Sequence, residues 1–344
     1  MQALASVFEQ LWEAQKPFVF FRTPASQQIG LYFQEDNLTH MTTKLETPGF
    51  VMRSFDSKNS FYLIPAAKKV FLDASKGDQP KSFGYHLQPT KKKKKAHIKN
   101  ILSAQHEIAM GKFQKVVLST KFECEIQGLR PISIFQSLEN AHPDALVYLW
   151  YHPQTGGWLG ASPERFLVET KDQFQTVALA GTLPQSENPE WSDKEKEEQQ
   201  LVVDAIVGGL QAIAPNSDIN CSDRYEKSAG NLVHLCTDIS LKKGDFSAID
   251  IIEKLHPTPA VGGVPKKESL EFIGTHEGYD RSFYTGILGT IDSTKKQLFV
   301  NLRCAALQPN GLTVFVGGGI TAASDPEKEW QEILGKSETI LQWV

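Results

Sequence analysis

The chain of 344 residues is 40% hydrophobic and 22% charged, and its formal net charge is −4 at pH 7. This length permits one or two domains with a large core, and the composition excludes intrinsically disordered and fibrous proteins. The small negative charge predicts that neither nucleic acid nor an anionic membrane is a partner.

The start of the chain lacks a basic segment followed by a long apolar run, so we expect no secretory signal. No stretch reaches the roughly 20 apolar residues that a transmembrane helix needs. The four cysteines are scattered without C-x-x-C spacing, at Cys124, Cys221, Cys236 and Cys304. We interpret them as buried free thiols in a reducing cytosol rather than as zinc ligands. The expectation is therefore a cytoplasmic globular protein.

Five consecutive lysines, residues 91–95, separate two portions of the chain. Residues 1–90 carry few chemical signatures, whereas residues 91–344 carry the motifs, and we expect both to belong to one domain. The lysines are predicted to form a solvated linker and the start of a helix rather than a nucleic-acid or membrane patch. Apolar residues follow at helical spacing until the stop signal Gly111, at Ile98, Ile101, Leu102, Ile108 and Ala109.

The next elements are two strands and a helix. Residues 115–120 predict a buried strand. A helix is predicted to begin near Ser192, because Ser192 and Glu195 fit a capping box. Residues 299–307 read as one strand, on which Asn301 and Arg303 share a face.

The last predicted helix follows a glycine-rich strand end, residues 314–319. Asp325 is expected as its N-cap and Pro326 as its first residue. Strands and helices occur in blocks along the chain rather than in strict alternation, which predicts an α+β fold and not a doubly wound sheet. The pattern G-x-G-x-x-G after a strand is absent, so we expect no dinucleotide site.

Taken singly, the charged candidates have ordinary explanations. Acidic residues in the first turns of a helix favour its dipole whatever the function. Glu329, Glu332 and Lys336 fall at i, i+3 and i+7, a stripe that is usually a solvated face. Arg303 is harder to dismiss, because a guanidinium between Leu302 and Cys304 needs a carboxylate or a route to solvent.

Read together, the motifs form an ordered series. They are Lys115-Val-Val-Leu-Ser, Gly160-Ala-Ser-Pro-Glu-Arg, Ala178-Leu-Ala-Gly-Thr, Glu198-x-x-Leu-Val-Val-Asp, His256-Pro-Thr-Pro-Ala, Arg281-Ser-Phe-Tyr-Thr-Gly, Leu302-Arg-Cys-Ala, Gly317-Gly-Gly-Ile and Glu329-Trp-Gln-Glu332 with Lys336. This series resembles the chorismate-utilising family of isochorismate, salicylate, anthranilate and aminodeoxychorismate synthases, over roughly residues 95–344. The resemblance implies a single α+β domain of two large antiparallel sheets packed together, with helices outside.

Within the family the chain resembles isochorismate synthase, which implies conversion of chorismate to isochorismate with Mg²⁺ as cofactor. Water adds at one ring carbon while a hydroxyl leaves another, so the reaction needs a base and an acid. The resemblance implies Lys115 as the base and Glu164 as the acid, each with a pKa moved toward neutrality. It implies Glu198 and Glu332 as Mg²⁺ ligands, since hard oxygen donors suit that ion.

The two neighbouring carboxylates Glu197 and Glu329 are expected close to the metal. Chorismate carries two carboxylates, so the site must also supply cations or oriented N–H donors. A planar guanidinium, a lysine, a tyrosine hydroxyl and the backbone N–H groups of two glycines are of the right kind. The substrate-binding set implied by the resemblance is Arg303, Lys336, Tyr284, Gly318, Gly319, Ala180, Gly181, Thr182 and His234. His234 is expected to line the site and not to bind the metal, and a core position is the ordinary interpretation of His256.

Several alternatives remain within and outside this activity. Aminodeoxychorismate synthases typically carry lysine where Ala180 stands, so that activity is disfavoured, and no obligate amidotransferase subunit is expected. Salicylate synthase, which also eliminates pyruvate, uses nearly the same residues and stays open, as does a non-catalytic chorismate-binding protein. The product feeds menaquinone or siderophore synthesis, with menaquinone preferred. We expect a monomer, and no nicotinamide or flavin.

Overall fold

The computed structural model describes residues 2–56, 60–74, 84–184, 189–229 and 232–344, and only the backbone of residues 2, 3, 182, 184, 194, 229 and 232. The helices in these ranges are α1 Gln2–Glu13, α2 Lys91–Ala109, α3 Pro131–Ala141, α4 Asp193–Ile213, α5 Ala248–Leu255, α6 Lys266–His276 and α7 Pro326–Leu341. The strands are β1 Phe18–Arg22, β2 Gln28–Phe33, β3 His40–Thr42, β4 Gly49–Arg53, β5 Phe61–Pro65, β6 Lys68–Asp73, β7 Lys115–Glu125, β8 Leu146–His152, β9 Gly156–Ser162, β10 Arg165–Glu169, β11 Gln173–Pro184, β12 Ile219–Cys221, β13 Tyr225–Ala229, β14 Leu232–Lys242, β15 Gly263–Val264, β16 Ile287–Ile291, β17 Lys296–Val300, β18 Cys304–Gln308 and β19 Gly311–Ile320.

The strands form two large sheets. The first has the order β15-β7-β19-β18-β9-β8-β1-β2-β6, and the second has the order β12-β14-β11-β10-β17-β16-β4-β5-β3, with β13 also paired to β14. The paired strands are antiparallel throughout the described residues. The predicted α+β class with two antiparallel sheets is therefore confirmed.

The sheets pack face to face, and helices cover their outer faces. All seven residues of β8 are buried, because alternate side chains point to opposite faces. Tyr148 packs with Phe50 of the second sheet, whereas Leu149 belongs to the cluster that includes Phe135 of α3 and Trp330 of α7. The outer face of the second sheet is covered by α4 and α5. The result is one α+β domain with buried side chains on both faces of each sheet.

The portion before the lysine run contributes to both sheets. Strands β1, β2 and β6 lie in the first sheet, and β3, β4 and β5 lie in the second. Helix α2 begins at Lys91, and the Thr90 hydroxyl accepts a hydrogen bond of 3.2 Å from the Lys93 N–H. The predicted helix start is confirmed, and Gly111 follows the helix end with φ of +75°. Leu102, expected on the apolar face, is exposed.

Several other predicted boundaries are confirmed. Strand β7 begins at Lys115, α4 begins with the capping box of Ser192 and Glu195, and α7 has Asp325 as its N-cap with Pro326 in its first turn. The cysteine prediction holds for three residues, but Cys221 is exposed on the edge strand β12. No helix among the described residues is both long enough and apolar enough to cross a membrane.

The prediction of one continuous strand over residues 299–307 is wrong. The chain leaves the second sheet after Val300 and enters the first sheet at Cys304. At the crossing, the Asn301 side chain accepts a hydrogen bond from the Tyr148 hydroxyl (2.7 Å) and donates one to the Phe283 carbonyl (2.9 Å). Arg303 has φ of +49°, which breaks the alternation of a strand. Asn301 and Arg303 therefore do not share a strand face.

Candidate active site

The residues implied by the resemblance meet in one cleft with about 1000 Å³ of empty space. Those that line it are Lys115, Glu164, Ala180, Gly181, Glu198, His234, Tyr284, Arg303, Gly318, Gly319, Glu332 and Lys336. Thr182 pairs through its backbone with His234, and its side chain lies outside the described part of the chain. The cleft therefore draws on segments that are far apart in the sequence.

Glu164 and Arg303 lie where a pair of strands passes from one sheet to the other. Strand β9 of the first sheet leads through residues 163–164 to β10 of the second, and residues 301–303 connect β17 and β18 in the opposite direction. The two crossings are bonded to each other. The Val300 N–H donates to the Glu164 carbonyl and the Ala161 N–H donates to the Arg303 carbonyl, both at 3.0 Å. Backbone hydrogen bonds thus hold both residues at the cleft.

Glu164 has the properties of a general acid. Its side chain is only 6% exposed, and this burial raises its pKa to about 7, although the positive charges of Lys115, Lys227 and Lys336 oppose the rise. Burial disfavours the ionised form of a carboxyl group. A substantial fraction of Glu164 therefore carries a proton near neutral pH, as expected from its implied role.

Two lysine–glutamate pairs lie in the cleft. Lys115 Nζ is 2.8 Å from Glu198 Oε1, and the lysine side chain is almost completely buried. Lys336 Nζ is 2.5 Å from Glu332 Oε1 and also donates to the Gly317 carbonyl at 3.0 Å. Each carboxylate implied as a metal ligand is thus paired with a lysine implied in catalysis or substrate binding.

Gly319 permits the close approach of the first pair. A Cβ atom at this position would lie 2.9 Å from Glu198 Oε1 and 3.1 Å from Lys115 Cε. The Val117 N–H donates to the Gly262 carbonyl and so points away from β19. Residues that face each other in an antiparallel ladder turn their N–H groups either both toward or both away from each other. Gly319, which faces Val117, therefore turns its N–H away from β7, and the preceding residue, Gly318, turns its N–H toward β7. Of the two glycine N–H groups expected as donors, only that of Gly319 is turned away from the ladder.

His234 lies on β14 opposite a bulge in β11. The bulge falls between Ala180 and Thr182, and Gly181 there has φ of +69°. The Nδ1 atom of His234 is 3.2 Å from the Gly181 carbonyl oxygen, which favours a proton on Nδ1. Burial, together with the positive charges of Arg303 and Lys336, lowers the pKa of His234 to about 4. A neutral ring therefore lines the site, as predicted, whereas His256 is buried outside it and bonds the Thr285 carbonyl.

Arg303 and Tyr284 supply hydrogen-bond donors. The guanidinium Nη1 of Arg303 donates to the Thr339 hydroxyl at 2.8 Å, which fixes one side of its planar fork. Tyr284 is 2% exposed, and burial raises the pKa of its hydroxyl well above the ordinary value. The phenol therefore keeps its proton at neutral pH. Both groups suit recognition of an anionic substrate.

Besides Glu164, four glutamates line the cleft and offer oxygen donors, at Glu195, Glu198, Glu329 and Glu332. No three His, Cys, Asp or Glu side chains in the described ranges converge closely enough to form a metal site by themselves. Mg²⁺ commonly uses one or two carboxylates and retains several waters, so the donor chemistry fits this ion.

Glu197 does not line the cleft and is exposed, contrary to its expected place near the metal. Its place is taken by Glu195, which lies one helical turn before Glu198 and also accepts a hydrogen bond of 3.0 Å from the Ser192 N–H. The i, i+3 spacing in the sequence could have indicated this, because residues 195 and 198 share a helix face and residue 197 does not. No sequence pattern indicated which apolar side chains form the walls of the cleft. These are Val117, Leu179, Ala260, Val261, Leu302 and Phe315.

Comparison with known proteins identifies the family. The model of the family described as "Chorismate binding enzyme" matches residues 51–344. A putative isochorismate synthase MenF of Mycobacterium tuberculosis is 34% identical over 253 residues, which are 67% of this chain and 68% of that protein. A salicylate biosynthesis isochorismate synthase of Pseudomonas aeruginosa is 32% identical over 244 residues, 67% of this chain and 51% of that protein. The chain thus spans between about half and two thirds of these curated relatives.

Solved structures agree in fold. A putative 2,3-dihydroxybenzoate-specific isochorismate synthase, DhbC, of Bacillus anthracis superposes with a TM-score of 0.80 at 24% identity, covering 98% of this chain and 99% of that one. The menaquinone-specific isochorismate synthase MenF of Escherichia coli superposes with a TM-score of 0.77 at 20% identity, covering 95% and 89%. Together with the family match over most of its length, these likenesses show that the chain is a member of the chorismate-binding enzyme family.

Proposed function

We propose that the chain is an isochorismate synthase that converts chorismate to isochorismate with Mg²⁺. The observation that carries this proposal is the buried Glu164, whose pKa is raised to about 7, in the same cleft as Lys115. A proton donor and a basic side chain facing one cavity are what a coupled addition and loss of water requires. The names of the curated relatives support the same reaction.

In the proposed mechanism, neutral Lys115 takes a proton from water as its oxygen adds to the ring. Glu164 gives its proton to the departing hydroxyl, which leaves as water, so that the net change is an isomerisation. Lys115 must lose the proton taken from water, and Glu164 must regain one, before the next turnover.

Substrate recognition is assigned to the cationic and hydroxyl groups of the cleft. Arg303, held at Nη1 by Thr339, presents the rest of its fork to a substrate carboxylate, and Lys336 adds a second positive charge. Tyr284 donates its hydroxyl toward the pyruvyl side, and the Gly319 N–H serves an anionic oxygen. Glu198 and Glu332 would hold Mg²⁺, which supplies positive charge for a substrate carboxylate when bound.

The test is incubation of the purified chain with chorismate and Mg²⁺, with and without EDTA, followed by chromatography of the products. Isochorismate that approaches an equilibrium with chorismate, and disappears with EDTA, is the expected result. Salicylate with pyruvate would move the assignment to salicylate synthase. Unchanged chorismate would favour a non-catalytic binder. Turnover that appears only when ammonia is added would contradict the expectation that the chain needs no amidotransferase subunit.

The use of the product is proposed as menaquinone synthesis. The M. tuberculosis and E. coli relatives share the name MenF, and the solved E. coli enzyme is described as menaquinone-specific. The P. aeruginosa and Bacillus relatives serve salicylate and 2,3-dihydroxybenzoate, so complementation separates the routes. We expect the chain to restore menaquinone in a strain without its own isochorismate synthases, and siderophore restoration alone would contradict the proposal.

A further inference from the structure

A second cavity adjoins the active-site cleft, with about 1070 Å³ of empty space that includes its opening to solvent. Arg303 and Pro163 line both spaces. Helix α7 contributes to both walls. Glu332 and Lys336 line the cleft. A different stripe of the helix lines the second cavity, at Gly335, Glu338 and Thr339, together with the C-cap residue Gln342. The two stripes follow the helical repeat, so one helix serves two separate spaces.

Two polar groups in the wall of the second cavity are buried and unsatisfied. His142 Nε2 and Trp343 Nε1 are shielded from solvent and have no hydrogen-bond partner among the described residues. Burial, together with the nearby charges of Arg303 and Arg22, lowers the pKa of His142 to about 4. The ring of His142 therefore adds no charge to the cavity, whose lining cations are Arg303 and Lys227.

The positively charged side chains of the cavity lie deeper than its negatively charged ones, which favours an anionic ligand. Arg303 and Lys227 line it and are both half-buried, whereas the acidic residues Asp144 and Glu338 are exposed. Part of the wall is apolar, at Ala141, Pro143, Ala145, Ala161 and Pro163. Cations and N–H donors beside an apolar wall suit an organic acid with a small apolar body better than an inorganic anion, which would leave that wall exposed to water.

We propose that this second cavity is a binding site for a small apolar carboxylic acid, which regulates the cleft through the shared Arg303. The carboxylate pairs with Lys227 and with the outer side of Arg303, beside the indole ring of Trp343. A negative charge there reduces the attraction that Arg303 exerts on a substrate carboxylate. Because coupling between sites is reciprocal, chorismate and the acid weaken each other's binding. Binding of the acid is independent of the proposed function, and only the effect on chorismate rests on it.

The binding test uses sodium benzoate as the probe and the indole N–H resonance of Trp343 as the reporter. Trp343→Phe assigns that resonance in the ¹H–¹⁵N spectrum. We expect a saturable shift with benzoate and none with inorganic phosphate. Lys227→Gln is expected to weaken benzoate binding roughly tenfold or more, the effect of losing a hydrogen bond to a charged group. The exposed Lys328→Gln is the matched control and should leave the affinity unchanged.

Benzoate bound in the active-site cleft is distinguished by Lys336→Gln. That substitution should leave the Trp343 shift and its midpoint unchanged, because Lys336 lines only the cleft. The proposal is overturned if the Trp343 resonance does not respond, if phosphate acts equally, or if the response depends on Lys336 and not on Lys227.

The regulatory part is tested by initial rates. Benzoate should raise the KM for chorismate with little change in kcat, and Lys227→Gln should relieve that inhibition while Lys328→Gln should not. Inhibition that persists unchanged in Lys227→Gln would reject regulation from this cavity. If the chain does not convert chorismate at all, the proposed function fails, whereas the spectroscopic test of the cavity still gives an answer.

Discussion

Lys115 and Glu198 are ion-paired at 2.8 Å beside Gly319, so the implied base and an implied metal ligand hold each other in the cleft. An ammonium group cannot accept a proton, and a carboxylate shared with a metal has less charge to offer a lysine. A change at Glu198 therefore reaches Lys115 directly through this contact. This relationship connects the acid–base and metal parts of the proposed mechanism in one contact.

Removal of either proton-transfer group is expected to lower turnover far more than binding. Lys115→Ala and Glu164→Gln should each reduce kcat by about 10²–10⁴-fold, the usual contribution of a positioned acid or base. Chorismate affinity should largely survive, because Arg303 and Lys336 remain. Product chromatography gives kcat, and calorimetry gives the dissociation constant. Unchanged turnover in either variant would remove that residue's role.

Loss of a metal ligand is expected to abolish activity. Glu198→Ala and Glu332→Ala should each be inactive at Mg²⁺ concentrations that saturate the unmodified chain. Glu197→Ala is the matched control, since Glu197 neighbours Glu198 on α4 but is exposed and outside the cleft. Rates measured across a Mg²⁺ titration decide the matter. Normal Mg²⁺ dependence in Glu198→Ala or Glu332→Ala would exclude that carboxylate as a ligand.

The pH dependence should reveal Glu164. Its pKa is raised to about 7 by burial, and a general acid works only in its protonated form. The mechanism also needs neutral Lys115, so in the unmodified chain a rising pH acts on the two groups in opposite directions. In Lys115→Ala the base is absent, and the residual kcat/KM should fall as pH rises through about 7, roughly tenfold for each further pH unit. Adding Glu164→Gln to that variant should remove this limb. Residual activity of Lys115→Ala that stays level well above neutral pH would speak against Glu164 as the acid.

Gly319→Ala should damage the site without a large loss of stability. The added methyl group would lie 2.9 Å from Glu198 Oε1, so the ion pair with Lys115 must shift. We expect a fall in kcat and an altered Mg²⁺ requirement, with a melting temperature close to that of the unmodified chain. Gly208→Ala on α4 is the control, because a Cβ atom there meets no atom within 4 Å. Equal behaviour of the two variants would contradict the crowding argument.

Thr339→Val is expected to raise the KM for chorismate and to leave kcat nearly unchanged. The substitution keeps the volume but removes the acceptor that holds Arg303 Nη1 at 2.8 Å. Loss of one hydrogen bond to a charged group corresponds to roughly ten- to hundredfold in affinity. Thr339→Ser should restore most of it. If Thr339→Val and Thr339→Ser give the same KM in initial-rate measurements, the Thr339 hydroxyl does not position the Arg303 guanidinium.

The sequence predicted the class of fold and many element boundaries because those depend on local chemistry. The caps at Ser192 and Asp325 are satisfied within a few residues of chain, and their positions are confirmed. The sequence did not reveal the crossing at Arg303, because an alternating pattern reads as one strand whether the chain stays in a sheet or leaves it. Asn301, buried between Tyr148 and Phe283, could be understood only from its distant partners.

The site was predictable where a resemblance supplied residue types and was less so in its geometry. Glu197 and Glu195 differ by two positions, yet only Glu195 lines the cleft, because the helix turns them to different sides. Likewise, only pairing with β7 distinguishes the N–H direction of Gly318 from that of Gly319. Such differences are set by register, which a motif does not specify.

The hydrogen-bonded crossings have a mechanical consequence. Glu164 and Arg303 belong to the same strand pair, tied by backbone bonds of 3.0 Å, whereas Lys115 and Gly319 belong to the neighbouring pair of β7 and β19. Glu164 and Arg303 are therefore expected to move as one unit, with the spacing between them preserved. Any sliding of one strand pair against the other would change the distance from this unit to Lys115. The adjustable dimension of the cleft is then the separation between Glu164 and Lys115.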